Sequence, residues 1–416
     1  MQSIRLSPLP SRAGRLLPYF VTLAVVAPSP ALAGGVVGLL SPGALAAISV
    51  LSLRRNQHLG SDSNGLQRKL QLPVLATVLL AVSSLSDPAP DSLQRSIARL
   101  VTAAAFYSLA MVYSKSSEED KQRIRRAVFR GAVITALLAI SASLLSRGFF
   151  GADILPSRSF ILPIDLPKTT GVPRSFGEQG LILAGGLATL STVTKRSTRY
   201  LAALTLLSGF MIGQSRNMLV VLAAVVFVTF LRRYVSSLSG VAGLIGILAL
   251  LSPIVATALV SQNAVREQFV GEGIFERNVD ARLSLFDEVE ALSARDSIVL
   301  KPFGSTRAEW GAISEAAPHN HFVSLLVFDG YAGVFFIVVM YLRPVLKSGK
   351  RAQALHDPEF VWIVGAMVAL SFYEGAFSAS VVVALALLHA QVGQIQPVEE
   401  IDSAFRDRSA VREPQP

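Results

Sequence analysis

The feature that most constrains this chain is the recurrence of apolar runs of bilayer length. Stretches such as "QLPVLATVLLAVSSLS" and "HFVSLLVFDGYAGVFFIVVMYL" recur with only short polar breaks between them. A helix needs about 20 apolar residues to cross the hydrocarbon of a membrane. Only helices or closed barrels satisfy their backbone groups there. Twelve such runs lie near 16–33, 35–53, 71–86, 96–113, 128–146, 179–194, 199–213, 217–231, 239–260, 321–342, 360–373 and 380–394. The composition agrees: 51% of residues are hydrophobic and only 16% charged, too few charges to coat a water-soluble chain of 416 residues. The expected class is an all-α, polytopic helical membrane protein. One transmembrane domain is expected over 1–394, and a solvated, disordered tail over 395–416.

Charge sets the expected orientation. Arginines and lysines gather in loops of one parity: Arg54, Arg55, Arg68 and Lys69, then Lys121 to Arg130, then Arg343, Lys347, Lys350 and Arg351. Cytoplasmic loops carry such an excess, so both termini are expected inside. The net charge of +10 is read this way rather than as nucleic-acid binding. The N-terminal "RLLPYFVTLAVVAPSPALAGG" mimics a cleavable signal peptide. A second apolar run follows at once, which favours an uncleaved first helix. The absence of cysteine excludes disulfides, thiolate chemistry and Cys-ligated zinc.

On the opposite, outer side two loops are long, 147–178 and 261–320, and loops of that length carry function or are disordered. Both contain apolar and aromatic residues and are expected to fold. Within the second, "VDARLSLFDEVEALSARD" offers Asp280 as an N-cap, with Leu283, Phe286, Val289 and Leu292 on one helical face.

The outer side also holds the residues that suit chemistry. Arg216, in "MIGQSRNMLV", sits in a tight outer hairpin with no topological reason to be there; its planar fork fits phosphate oxygens, although it could also snorkel. Arg282 could bind an anion or pair with Asp287 or Glu288. Arg174, in "GVPRSFGEQG", is a weaker third. His319 and His321 flank Asn320 at the start of a span, where an imidazole can take a proton from a hydroxyl or merely bond a helix end. As an H-x-H metal pair they lack further ligands, so no metal is expected, and no nucleotide-binding loop is present. Asp329, two turns into the span, and Glu374, near the last outer hairpin, are intramembrane acids and so functional suspects. Gly330 and Gly333 beside Asp329 permit close packing or a local break.

The ordered set "QSRN", "RLSLFDEVEAL", "KPFGS" and "PHNHFVSLLVFDGYAG" resembles the O-antigen ligase and polymerase family of bacterial envelope glycan assembly, over roughly 210–343. Three positions depart from that pattern: "GST" at 304–306 lacks the second glycine, Phe286 stands where tryptophan is common, and Asp329 where Glu is frequent. The resemblance implies a multi-pass, metal-independent, inverting glycosyltransferase of the C-type kind in the bacterial inner membrane, with no cofactor. Its donor would be an undecaprenyl-pyrophosphate-linked oligosaccharide and its acceptor a glycan hydroxyl or lipid A-core, with a chain-length regulator as a possible partner. Arg216 and Arg282 would bind the pyrophosphate, His319 would activate the acceptor, and Asn320 would shape the site. Ligase, protein O-oligosaccharyltransferase and flippase remain the alternatives. On this reading His319→Ala removes most polymer from complemented cells while the protein is still expressed. Arg216→Lys also lowers polymer, because lysine lacks the fork. Glycan gels beside an immunoblot check both.

Overall fold

The structure is a computed structural model that describes residues 12–26, 35–56, 63–149, 154–155, 167–172, 175–213, 216–234, 302–311, 320–349, 357–371 and 378–393. Among the described residues every regular element is helical, apart from one isolated antiparallel bridge between Leu155 and Lys168. The helices are α1 (Arg12–Val26), α2 (Gly35–Asn56), α3 (Ser63–Ser86), α4 (Ser92–Lys115), α5 (Glu118–Leu144), α6 (Phe176–Ala188), α7 (Arg196–Gly213) and α8 (Arg216–Tyr234). The short α9 (Arg307–Gly311) precedes α10 (His321–Ile337), a π-helical turn (Val338–Leu342), α11 (Arg343–Gly349), α12 (Pro358–Leu370) and α13 (Ala379–Gly393). The expected span at 239–260, the outer-loop helix near 280–292 and the tail 395–416 lie outside the described residues.

Among the described residues four segments are long and apolar enough to cross a membrane: Gln67–Ser86, Ser92–Lys115, Glu118–Leu144 and His321–Ser348. Five shorter apolar helices accompany them. Local sequence sets several starts. Ser117 caps α5 by accepting from the Asp120 amide at 3.2 Å, with Glu118, Glu119 and Asp120 in the first turn where the helix dipole favours acids. Ser175 caps α6 through the Glu178 amide at 3.1 Å. Pro358 opens α12, where its missing N–H costs nothing.

Packing separates inner from outer helices. Every residue of α12 from Glu359 to Leu370 is buried, and α6 is nearly so. Helices that are apolar all round belong in the centre. The Trp362 indole seats against Gly185 and donates to the Leu181 carbonyl at 2.9 Å. The surrounding helices instead turn large apolar side chains outward. Leu201 is 67% exposed, Phe230 58% and Leu85 54%. A row of such residues has no advantage in water and fits a hydrocarbon surround.

One expected span takes a different shape. At Gly330 the backbone sits at φ 52 and ψ −129, a conformation that a side chain would resist, and there the run 321–342 folds back on itself. The Tyr341 ring lies 6.1 Å from the His321 ring and 5.4 Å from the Phe322 ring. A straight helix would separate residues 321 and 341 by about 30 Å. The run is therefore a short arm, 321–329, packed antiparallel on a longer arm, 331–349. The longer arm alone, at about 27 Å over 331–348, reaches across a hydrocarbon core. Gly333 lets the arms touch, since a Cβ there would lie 2.6 Å from the Leu325 carbonyl carbon.

This geometry sets a paired test. Gly333→Ala lowers stability by about 1–3 kcal/mol, the range for forced overpacking. Gly311→Ala, where nothing lies within 4 Å of the new Cβ, shifts it by less than about 0.5 kcal/mol. Thermal unfolding in detergent, followed by tryptophan fluorescence, separates the two.

Candidate functional site

The tip of the folded-back hairpin carries the most heavily built polar cluster among the described residues. Asp329 is the last residue before the reversal and is 2% exposed. Arg99 of α4 grips its carboxylate with both terminal nitrogens, Nη1 to Oδ1 at 2.6 Å and Nη2 to Oδ2 at 2.9 Å. Ser83 of α3 adds its hydroxyl to Oδ1 at 2.7 Å. Arg99 Nη1 also donates to the Leu80 carbonyl. The bidentate fork and the third donor satisfy a carboxylate that would otherwise be very costly to bury.

The segment 302–306 plugs the break. The Ser305 amide donates to the Val327 carbonyl at 2.7 Å, and the Ala332 amide donates to the Pro302 carbonyl at 3.2 Å. Both are groups that an interrupted helix leaves without their usual partners. Gly304 lies so close that a Cβ would sit 2.5 Å from the Val327 oxygen. The Phe303 carbonyl lies 3.4 Å from the Ser83 hydroxyl, and Trp310 of α9 meets Phe328 edge to face at 6.1 Å. A π-facing, hydrogen-bonded plug thus closes over Asp329.

Short turns and antiparallel neighbours bring other elements to the same end of the bundle. The α3–α4 turn is there, with Arg95 held by Asp87 at 2.8 Å and Asp91 at 3.2 Å. So are the start of α6, the α7–α8 hairpin and the start of α13. At the start of α6, Gln179 is wholly buried, and neither its amide nitrogen nor its oxygen has a hydrogen-bond partner among the described residues. Its oxygen is 3.7 Å from where a Cβ on Gly213 would stand, beneath the hairpin that begins α8 at Arg216. Beside it Glu178, 2% exposed, receives the Ser380 hydroxyl at 3.4 Å.

The residues singled out from sequence divide accordingly. Asp329 is central, and its carboxylate is taken by Arg99 and Ser83. Asn320 is the N-cap of α10: its side-chain oxygen accepts from the amides of Phe322 at 2.9 Å and Val323 at 3.2 Å. Arg216 opens α8 at the Asp329 end of the bundle. Arg174, Arg282, His319 and Glu374 lie outside the described residues. His321, set aside in the sequence pattern, is 3% exposed, and its Nε2 has no hydrogen-bond partner among the described residues. It stands at the far end of the short arm, about 12 Å along the helix from Asp329, against Tyr341. The expectation that it stands at the outer start of the span is thereby corrected; the fold-back carries it down the long arm.

Sequence reasoning missed Arg99, Ser83 and Gln179. A signal for Arg99 exists: Arg95 and Arg99, four apart, interrupt an apolar run on the side that the charge bias leaves poor in cations. Ser83 and Gln179 give none, because polar residues of that kind are common in membrane helices. Among the described residues no three His, Asp or Glu side chains gather as a metal-binding group. No family model matches the chain, and no curated protein matches it.

Removing one partner of the buried pair strands the other. Arg99→Met or Asp329→Leu each costs about 3–5 kcal/mol, and the double variant Arg99→Met with Asp329→Leu recovers much of that loss. The folded, monodisperse fraction by size-exclusion chromatography tests the ordering of the three variants.

Proposed function

We propose that the protein is a polytopic glycosyltransferase of the bacterial inner membrane. In this reading it has about twelve spans, both termini in the cytoplasm and its chemistry on the outer face. It transfers a glycan from an undecaprenyl-pyrophosphate-linked donor to an acceptor hydroxyl, polymerising a surface or extracellular polysaccharide. The acceptor oxygen attacks the anomeric carbon, and the bond from that carbon to the pyrophosphate oxygen breaks with inversion. His319 takes the hydroxyl proton, and Arg216 and Arg282 neutralise the leaving undecaprenyl pyrophosphate. Guanidinium–phosphate attraction of this kind strengthens where water is excluded.

The observation that carries the reading is the meeting of motif pieces distant in sequence. "KPFGS" and "VFDGYAG" are joined by the Ser305–Val327 and Ala332–Pro302 hydrogen bonds. Arg216 and Asn217 of "QSRN" open α8 shortly after Gly213, whose Cβ position is 3.7 Å from the Gln179 side-chain oxygen, part of an amide able to bind a sugar hydroxyl or a phosphate oxygen. Two segments that matched the family pattern separately thus meet at the tip of the hairpin. Ligase activity on lipid A-core is the nearest variant of the same chemistry.

A second reading, a flippase for lipid-linked glycan units, draws on the broken hairpin itself. Transporters place discontinuous helices and buried charges at their binding sites, and Gly330 and Asp329 supply both. Lipid-linked and surface glycans from a deletion strain distinguish the readings. Polymerase function predicts single repeat units and no long polymer. Full-length polymer stranded on its carrier indicates a ligase. Repeat units trapped in the cytoplasmic leaflet overturn glycan transfer in favour of transport.

A further inference from the structure

At the end of the bundle away from Asp329, three cations converge on one cleft. Lys69 comes from α3, and Arg343 and Lys347 come from α11. Lys69 lies fourteen positions before Ser83 on the same helix, about 21 Å away along its axis. The walls between the cations are apolar: Leu70, Pro73 and Val392. The cleft is half open and holds about 350 Å³ of empty space, solvent included.

The cleft is shaped by an irregularity of the backbone. In the π-helical turn Val338–Leu342, the Arg343 amide bonds the Val338 carbonyl, five residues back. The extra residue in that turn rotates α11 by about 100° relative to its place on an unbroken α-helix. Such turns loosen the usual carbonyl pairing, and here His389 of α13 donates from Nε2 to the Met340 carbonyl at 3.0 Å. The imidazole is itself fixed edge to face on Phe106, with ring centres 5.2 Å apart. Arg343 and Lys347 are then one turn apart on a single face, aimed across the cleft at Lys69.

We propose that this cleft is a binding site for the headgroup of an anionic glycerophospholipid. The phosphate is held by Lys69, Arg343 and Lys347, and the upper acyl chain lies against Leu70, Pro73 and Val392. Two features select a lipid over free phosphate. The cations border apolar walls at the end of membrane-length helices, and basic pockets between such helices suit lipid headgroups. The long lysine stems also cover apolar surface while their ammonium groups reach outward. The site is independent of the glycan-transfer reading and holds whichever activity the opposite end supports.

The test uses the full chain in nanodiscs of phosphatidylcholine with increasing phosphatidylglycerol, with thermal unfolding as the readout. The expected result is a saturable rise in unfolding temperature that weakens with salt. The triple variant Lys69→Gln, Arg343→Gln, Lys347→Gln shifts the half-saturating phosphatidylglycerol fraction upward at least about tenfold, since each lost charge–phosphate contact is worth about 1 kcal/mol or more. Arg343→Gln alone gives a smaller shift in the same direction and serves if the triple variant does not fold. The control Arg126→Ala removes an exposed cation of α5 outside the cleft and leaves the response unchanged. Three outcomes overturn the proposal: no preference for phosphatidylglycerol, an equal loss in Arg126→Ala, or full stabilisation by soluble glycerol phosphate in pure phosphatidylcholine.

Discussion

The bond between Arg99 and Asp329 is the constraint on which the hairpin end of this molecule depends. A carboxylate inside an apolar bundle is tolerable only when its lone pairs are occupied. Here the Arg99 fork and the Ser83 hydroxyl occupy them from two other helices. The pair therefore fixes the tip of the hairpin against α3 and α4. The fold-back at Gly330 is closed over by segment 302–306 through the Ser305–Val327 and Ala332–Pro302 hydrogen bonds. Arg99 thereby links the α3–α4 pair to a hairpin 230 positions further along the chain.

A second buried pair has a comparable role at the other end. Glu359, the second residue of α12, accepts from Arg125 Nε at 2.6 Å and from the Tyr113 hydroxyl at 2.5 Å. The contact ties the start of the central helix to α4 and α5. Between the two pairs the packing is mainly apolar, with Trp362, Phe360, Phe210 and Phe106 fully or almost fully buried. The bundle is thus pinned by charge at its two ends and filled by dispersion in the middle. That distribution leaves the ends, not the centre, as the places where polar ligands can be met. One end offers the hairpin, its plug and the Gln179 amide. The other offers the cationic cleft beside the π-helical turn.

Much of the architecture follows from local pattern. Apolar runs of bilayer length dictate helices, and the helix at each described run is where hydropathy puts it. The caps at Ser117, Ser175 and Asn320 are readable from residue type. The glycines beside Asp329 signal a possible break. The pattern does not reveal how far a break will turn. Hydropathy averages over a window and is blind to direction, so a folded-back hairpin and a straight span of the same composition read alike. The partners of Asp329 are equally hidden, because Arg99 lies 230 positions away and nothing local marks the match.

By itself the sequence determined the class of the protein, an all-helical chain built of membrane-length apolar segments, because periodic burial of apolar surface is a local property of composition. It also determined where polar motifs interrupt the apolar runs, because hydropathy is read residue by residue. Only the tertiary structure decided that 321–349 is a hairpin, that Asp329 is consumed by Arg99 and Ser83, that His321 lies beside Tyr341 away from the tip, and that Lys69 faces Arg343 and Lys347. Each of these is a pairing across long sequence separation. Such pairings are set by which charges and carbonyls remain unsatisfied once the helices have packed, and that sum is taken over the whole fold.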